Sequence, residues 1–155
     1  MRGEQAKVYI TGRNAKRVLF ATINLRTGHR VAMRRTKMRQ GDFQDFLRLV
    51  RQRYGNRPVW MLLDEAPCHT AKGSLGLAAQ LSIGLIFLPK QCSELNAMDQ
   101  LWKDLKGQIS ANYQFASVDR HAQQAEAWLL ALSKREALCK AGVLSKNYWL
   151  RSFLQ

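Results

Sequence analysis

The pattern of apolar positions at the start of the chain predicts strands. Residues 17–24 and 30–35 are rich in β-branched and apolar side chains, and they flank a short segment that contains Gly28. This arrangement predicts an antiparallel hairpin with Gly28 at the turn position that tolerates a positive φ. A shorter extended piece is expected at residues 7–10.

A helical period follows the hairpin. Residues 43–54 carry apolar side chains three and four positions apart, behind Asp42 as an expected N-cap and ahead of Gly55 as a stop signal. The opposite face of this predicted helix is basic.

Two apolar runs, residues 59–63 and 83–88, then enclose an Ala- and Leu-rich helix predicted at 72–80. Continuous apolar runs are typical of strands buried on both faces, and a helical connection makes such a pair parallel. The predicted fold class is therefore α/β, with a mixed sheet and flanking helices.

The rest of the chain predicts helices. An amphipathic helix is expected at 97–110, and Ser133 with Glu136 forms a capping box that opens a later helix ending at Gly142. The stripe of the first helix consists of Met98, Leu101, Trp102, Leu105 and Ile109. We expect the apolar tail at 147–154 to pack back on the core; a contact with another subunit is the alternative.

The charge is strongly basic and unevenly distributed. The chain has 25 Lys and Arg against 11 Asp and Glu, and its first 60 residues hold 15 of the basic residues with three acids. A field of this strength favours a polyanion partner, most simply nucleic acid, although a solvated basic surface is the alternative. The three cysteines have no CxxC spacing, which argues against a disulfide scaffold and a structural zinc site. The sequence contains neither a membrane span nor a secretory signal.

Two carboxylates stand at the ends of predicted elements. Asp64 follows the last apolar residue of its strand, and Asp99 lies in the first turn of its helix beside the apolar stripe. Ligands of open α/β sheets bind beyond the carboxyl ends of the strands, where Asp64 is placed. Magnesium takes one or two carboxylates with phosphate oxygens and water, and metal pairs support in-line displacement at phosphorus. Taken singly, each acid also suits a capping or helix-dipole role.

The segments LLDEAPCH and IFLPKQCSELNAMDQLWKDLK resemble the DDE/DDD transposases of the mariner-like superfamily, in particular its bacterial insertion-sequence branch. That family has a strand ending in Asp-Asn with a His nearby, then Leu-Pro, a Pro-Glu-Leu-Asn-Pro-like turn, an acid, and Leu-Trp with a Lys behind. The resemblance covers about residues 8–107. It places the second family acid at Asp64 and the third at Asp99, with 34 residues between them. It implies an RNase H-like fold, Mg²⁺ (or Mn²⁺) at these two acids, and metal-dependent DNA nicking and strand transfer.

The largest departure from the family concerns its first acid. The family carries that Asp on the first strand, before the hairpin, where this sequence has only Glu4. Asp42 and Asp45 follow the hairpin on a basic helix and are poor substitutes. Smaller departures are Glu65, Cys92-Ser93 and Ala97.

We therefore expect a transposase fragment. Residues 1–112 would form a partial RNase H-like catalytic domain whose first catalytic strand is missing, and residues 113–155 a helical extension of the same domain. The helix-turn-helix region that precedes the family's catalytic domain does not occur in this sequence. The absent acid would come from an upstream chain, as in a frameshifted protein, unless the gene is a decayed copy.

The leading hypothesis is a DDE-type transposase catalytic domain that acts on transposon ends and target DNA, as a homo-oligomer or with an upstream half. No membrane is involved, and the expected location is the bacterial cytoplasm, at the nucleoid. The residues expected to bind DNA phosphates are Arg34, Arg35, Lys37, Arg39, Arg48, Arg51, Arg53, Lys103 and Lys106.

Two alternatives remain open. The first is a catalytically inactive module that only binds DNA or poisons oligomers of the full-length enzyme. The second, more remote, is a hydrolase that uses Cys68 and His69. Adjacent side chains on an extended chain point to opposite sides, which argues against it.

Overall fold

The computed structural model describes residues 2–12, 15–110 and 117–154, with side chains from Lys16 onward except those of Ser93, Ile109 and Ser110. It shows a five-stranded mixed sheet with helices on both faces. The strands are β1 (Arg2–Gly12), β2 (Ala15–Asn24), β3 (Arg30–Arg35), β4 (Val59–Leu63) and β5 (Ile83–Phe87). The helices are α1 (Gln40–Tyr54), α2 (Pro67–Thr70), α3 (Lys72–Gln80), α4 (Ala97–Leu105), α5 (Val118–Ala131), α6 (Lys134–Lys140) and α7 (Arg151–Leu154). A 3₁₀ turn, Ser93–Leu95, precedes α4, and a π-helical turn, Lys106–Ser110, extends it.

The strand order across the sheet is β3-β2-β1-β4-β5. β1 is antiparallel to β2 and parallel to β4, β2 is antiparallel to β3, and β4 is parallel to β5. β3 therefore runs in the same direction as β4 and β5. The carboxyl ends of these three strands lie at one edge of the sheet, which we call the carboxyl edge.

The predicted absence of the first strand is wrong, because a strand occupies the centre of the sheet. Arg2–Gly12 lies between β2 and β4, and Glu4 takes the register position beside Leu62. Apart from Val8 to Ile10 this segment is polar or small, so its sequence predicted only a short extended piece. Pairing on both sides supplies hydrogen-bond partners to backbone groups of β2 and β4 that an empty position would leave unmet. The segment contains no Asp.

Alternation along the strands sends side chains into two separate cores. Phe20 and Met61 point to the layer of α1 and α3, whereas Leu19 and Leu62 point to the layer of α4, α5 and α6. The predicted stripe of α4 is buried in the second core at every position whose side chain is described; Ile109 lies outside the described side chains. The C-terminal helices therefore share a core with the sheet.

Several predicted details change. α1 has Arg39 as its N-cap, and Asp42 is the third helical residue, whose carboxylate accepts the Arg39 backbone N–H at 3.0 Å. β4 and β5 are not buried on both faces, since Trp60 and Ile86 are 48% and 38% exposed. The reason is that β5 is an edge strand, and no described helix covers β4 and β5 on the face from which Trp60 and Ile86 project.

The C-terminal third follows the prediction closely. The capping box of Ser133 and Glu136 is present, and Gly142 follows the helix with φ +78°. The apolar tail packs on the core through Leu150, while Trp149 and Phe153 stay substantially exposed. Within the described residues, no helix is long and apolar enough to cross a membrane.

Candidate active site at the carboxyl edge

Asp64 and Asp99 line one open cleft of about 490 Å³ at the carboxyl edge. Its walls come from the segment after β4, the segment after β5 and the first turn of α4. The lining residues are Asp64, Glu65, Ala66, Pro67, Leu88, Pro89, Lys90, Gln91, Cys92, Asn96 and Asp99. The two acids singled out in the sequence are thus brought together, although 34 residues separate them.

Asp64 follows β4 directly, and 53% of its side chain is exposed. Its Oδ1 atom accepts the Ala66 backbone N–H at 3.2 Å and lies 2.9 Å from Nδ1 of His69. The first of these bonds is the local capping contact considered for an isolated acid. Glu65, expected on the opposite side of a continuing strand, also lines the cleft, because β4 ends at Leu63 and the alternation stops there.

Asp99 is positioned by the start of α4. The Asn96 side chain caps this helix, with its Oδ1 accepting the Met98 N–H at 2.9 Å, and the Asp99 N–H donates to the Asn96 carbonyl. The preceding residue, Leu95, has its carbonyl oxygen 2.9 Å from the indole nitrogen of Trp149. A contact from the C-terminal tail therefore supports the turn that places Asp99.

Three further residues lie at or beside the cleft, and the sequence analysis did not assign them to this site. Lys90 and Gln91 follow β5 and line the cleft, and Gln91 has φ +58°. The rule that ligands bind beyond parallel strands would have singled out Lys90. His69 lies behind Asp64, and a His near the strand end is part of the family pattern.

The Cys68–His69 pair is not on an extended chain. Both residues belong to the short helix α2, and both are buried, at 5% and 0% exposure. A thiol hydrolase would need His69 as its base. The full burial of that ring, with Nδ1 2.9 Å from Oδ1 of Asp64, argues against this alternative.

The predicted basic residues fall into three groups. Arg34, Arg35, Lys37 and Arg39 lie at and beyond the end of β3, at the carboxyl edge. The second group, Arg48, Arg51 and Arg53, lies on the later turns of α1, farther from this edge. Arg51 donates hydrogen bonds to the carbonyls of Leu81 and Arg57. Lys103 and Lys106 are exposed, one and two turns beyond Asp99.

The donor set suits one hard divalent cation. Two carboxylates at an open cleft leave room for water and phosphate oxygens, which is the coordination that Mg²⁺ prefers. Among the described residues there is no group of three or more His, Cys, Asp or Glu that could enclose a metal. The acids therefore fit an ion that is shared with a substrate, and they do not form a closed structural metal site.

The fold is shared with solved structures of a transposase and of a viral intasome. The catalytic domain of Mos1 transposase, determined with raltegravir and Mg, has a TM-score of 0.74 at 16% identity, over 95% of this chain and 79% of that chain. A pre-cleavage Mos1 transpososome gives 0.70 at 15% identity, over 99% and 54%. An intasome of simian T-cell lymphotropic virus, in complex with PP2A regulatory subunit B56 gamma, gives 0.64 at 13%, over 80% and 46%.

These likenesses confirm the RNase H-like class of the fold. The family model of the DDE superfamily endonucleases matches residues 1–121, and the chain therefore belongs to that family. No curated protein matches it.

Proposed function

We propose that this chain carries out metal-dependent DNA cleavage and strand transfer at the ends of a transposable element of the insertion-sequence type. The observation that carries the proposal is the meeting of Asp64 and Asp99 at one cleft of a DDE superfamily endonuclease. Because the chain belongs to a family of endonucleases, DNA is its partner in this proposal. We also propose that the protein works at the bacterial nucleoid, because its DNA substrate is located there.

In this proposal Asp64 and Asp99 hold Mg²⁺ or Mn²⁺. The Mos1 catalytic domain has been determined with each of these ions, which supports a divalent cation here. A divalent ion held by these two acids would supply Lewis-acid polarisation of a phosphoryl oxygen. Asn96 holds the helix start that presents Asp99, and Lys90 faces the same cleft as a cation for a DNA phosphate.

The surface beside the cleft supports a DNA path. A second open cleft, of about 690 Å³, lies between the start of α1 and α2, and it shares Pro67 with the first. Arg39 lines it, and the exposed Lys37 precedes it on the same loop. A DNA backbone lying across Pro67 would contact these cations on one side and the acids on the other.

The experiment that tests the proposal is nicking of supercoiled plasmid by the purified chain. We expect nicked product to rise with Mg²⁺, to persist when Mn²⁺ replaces it, and to vanish in excess chelator. Nicking that continues in chelator would contradict a role for the two acids as metal ligands.

A binding module without catalysis is the second candidate, and the lack of a third clustered ligand among the described residues favours it. It predicts that the chain binds DNA with the same affinity with and without Mg²⁺, and that no nicked product forms with either cation. Binding measured beside nicking on the same plasmid distinguishes the two candidates.

The basic loop after β3 gives a prediction for DNA binding. Replacing Lys37 or Arg39 by Ala should weaken binding uniformly across sequences, because each removes one phosphate contact. Each substitution should make the negative slope of log K against log salt concentration less steep by about 1. Arg53→Ala is the matched control, since it removes the same charge at the far end of α1. Equal losses for Arg53 and Arg39 would show that overall charge, and not this loop, sets the affinity.

A further inference from the structure

His69 makes its polar side-chain contacts with a single residue. Its ring is fully buried, and Nδ1 lies 2.9 Å from Oδ1 of Asp64 and 3.0 Å from the Asp64 backbone oxygen. Both oxygens are acceptors only, so Nδ1 carries the hydrogen and shares it between them. Within the described part of the chain, Nε2 has no hydrogen-bond partner. The imidazole is thus directed entirely at Asp64.

We propose that His69 is a positioning residue that fixes the Asp64 carboxylate for metal binding; this inference rests on the proposed function. Asp64 is half exposed and lies beyond the end of its strand, where packing alone does not select one rotamer. The bonds from His69 Nδ1–H and from the Ala66 N–H fall on the same oxygen, Oδ1. Together they set the plane of the carboxylate before an ion arrives.

The core holds the imidazole in place. The His69 ring packs against Phe43 of α1, with 4.5 Å between ring centroids and 50° between planes. Phe43 is itself fully buried. A polar ring in such surroundings is costly unless it is hydrogen-bonded, and here the bond goes to the candidate metal ligand. Rigid packing behind a hydrogen bond to a ligand is the arrangement that holds a site in its productive geometry.

Three substitutions separate positioning from space filling. His69→Asn keeps an N–H donor near the place of Nδ1, His69→Gln moves the donor to the place of Nε2, and His69→Leu removes it. The measurements are Mg²⁺ binding by calorimetry, half-saturating Mg²⁺ for nicking, and thermal melting in chelator. Outer-shell changes at metal sites commonly weaken metal affinity by about 10- to 100-fold. We expect a loss in that range for Leu and Gln, and recovery of most of it by Asn.

A comparison of Asn with Gln keeps the test decisive if the Leu variant fails to fold. Wild-type Mg²⁺ affinity in both polar variants would overturn the inference. So would equal losses in both that follow their melting temperatures, since a structural role alone predicts that result.

Asp64→Asn in the same calorimetric titration separates this inference from the proposed function. If that variant binds Mg²⁺ as tightly as the wild type, both the metal site and the positioning role are overturned. If it loses Mg²⁺ while every His69 variant keeps wild-type affinity, the metal site stands and only the role of His69 fails.

Discussion

Replacing Asp64 or Asp99 by Asn is expected to lower the rate of Mg²⁺-dependent DNA nicking by about a thousandfold while leaving the protein folded. A metal ion acting at phosphorus contributes several kcal/mol to transition-state stabilisation, and a loss of about 4 kcal/mol corresponds to that factor. Asn at position 64 keeps an oxygen that can accept the Ala66 and His69 hydrogens, so it removes the charge and little else. At position 99 the loss of helix-dipole stabilisation is about 0.3–1 kcal/mol.

Asp104→Asn is the control for this prediction, because Asp104 lies on the same helix but pairs with Lys140 at 3.6 Å and does not line the cleft. It should nick DNA at the wild-type rate. DNA binding, measured by anisotropy in chelator, should survive in all three variants. If Asp104→Asn lost as much activity as Asp99→Asn, the assignment of Asp99 to the metal would be wrong.

Gly28→Ala is expected to reduce the free energy of unfolding by about 3 kcal/mol. Gly28 has φ +80°, a conformation that costs an L-residue about 1–2 kcal/mol. A Cβ there would also overlap the backbone carbonyl of Lys134 at the start of α6. Overpacking of this kind adds about 1–3 kcal/mol, since neither backbone can yield without displacing the other. Urea denaturation at equilibrium measures the change.

Gly142→Ala is the matched control, with φ +78° and no atom within 4 Å of the added Cβ. It should lose only the cost of the backbone strain, about 1–2 kcal/mol. The difference between the two variants then reports the close approach of the hairpin turn to α6. Arg30, which is buried and donates to the carbonyls of Gly28 and Leu132, holds the same approach together, and burial lowers its pKa. Equal losses at both glycines would contradict the predicted overlap.

Local signals account for the parts of the fold that the sequence predicted well. α3 matched its predicted range, the capping box of Ser133 and Glu136 formed, and Gly28 has the positive φ that its turn position indicated. Each of these depends on residues within one or two turns of each other. They need no knowledge of what packs against them.

Long-range pairing accounts for the parts that the sequence did not predict. Arg2–Gly12 has few apolar residues, and only its partners β2 and β4 place it at the centre of the sheet. Ile86 belongs to an apolar run that suggested full burial, yet β5 lies at an edge and leaves it exposed. Hydrophobic period reports the local element, whereas strand order depends on contacts between distant segments.

The same division holds for the candidate site. By itself the sequence determined that Asp64 follows a strand, that Asp99 lies in the first turn of a helix, and that the surrounding chain is basic, because these properties follow from residue type and local period. Only the tertiary structure decided that the two acids share a cleft, that Lys90 joins them and that His69 lies behind Asp64. The physical reason is that the parallel strands β4 and β5 bring their carboxyl ends to one edge. The start of α4, which follows β5, lies at the same cleft regardless of the length of chain between the two acids.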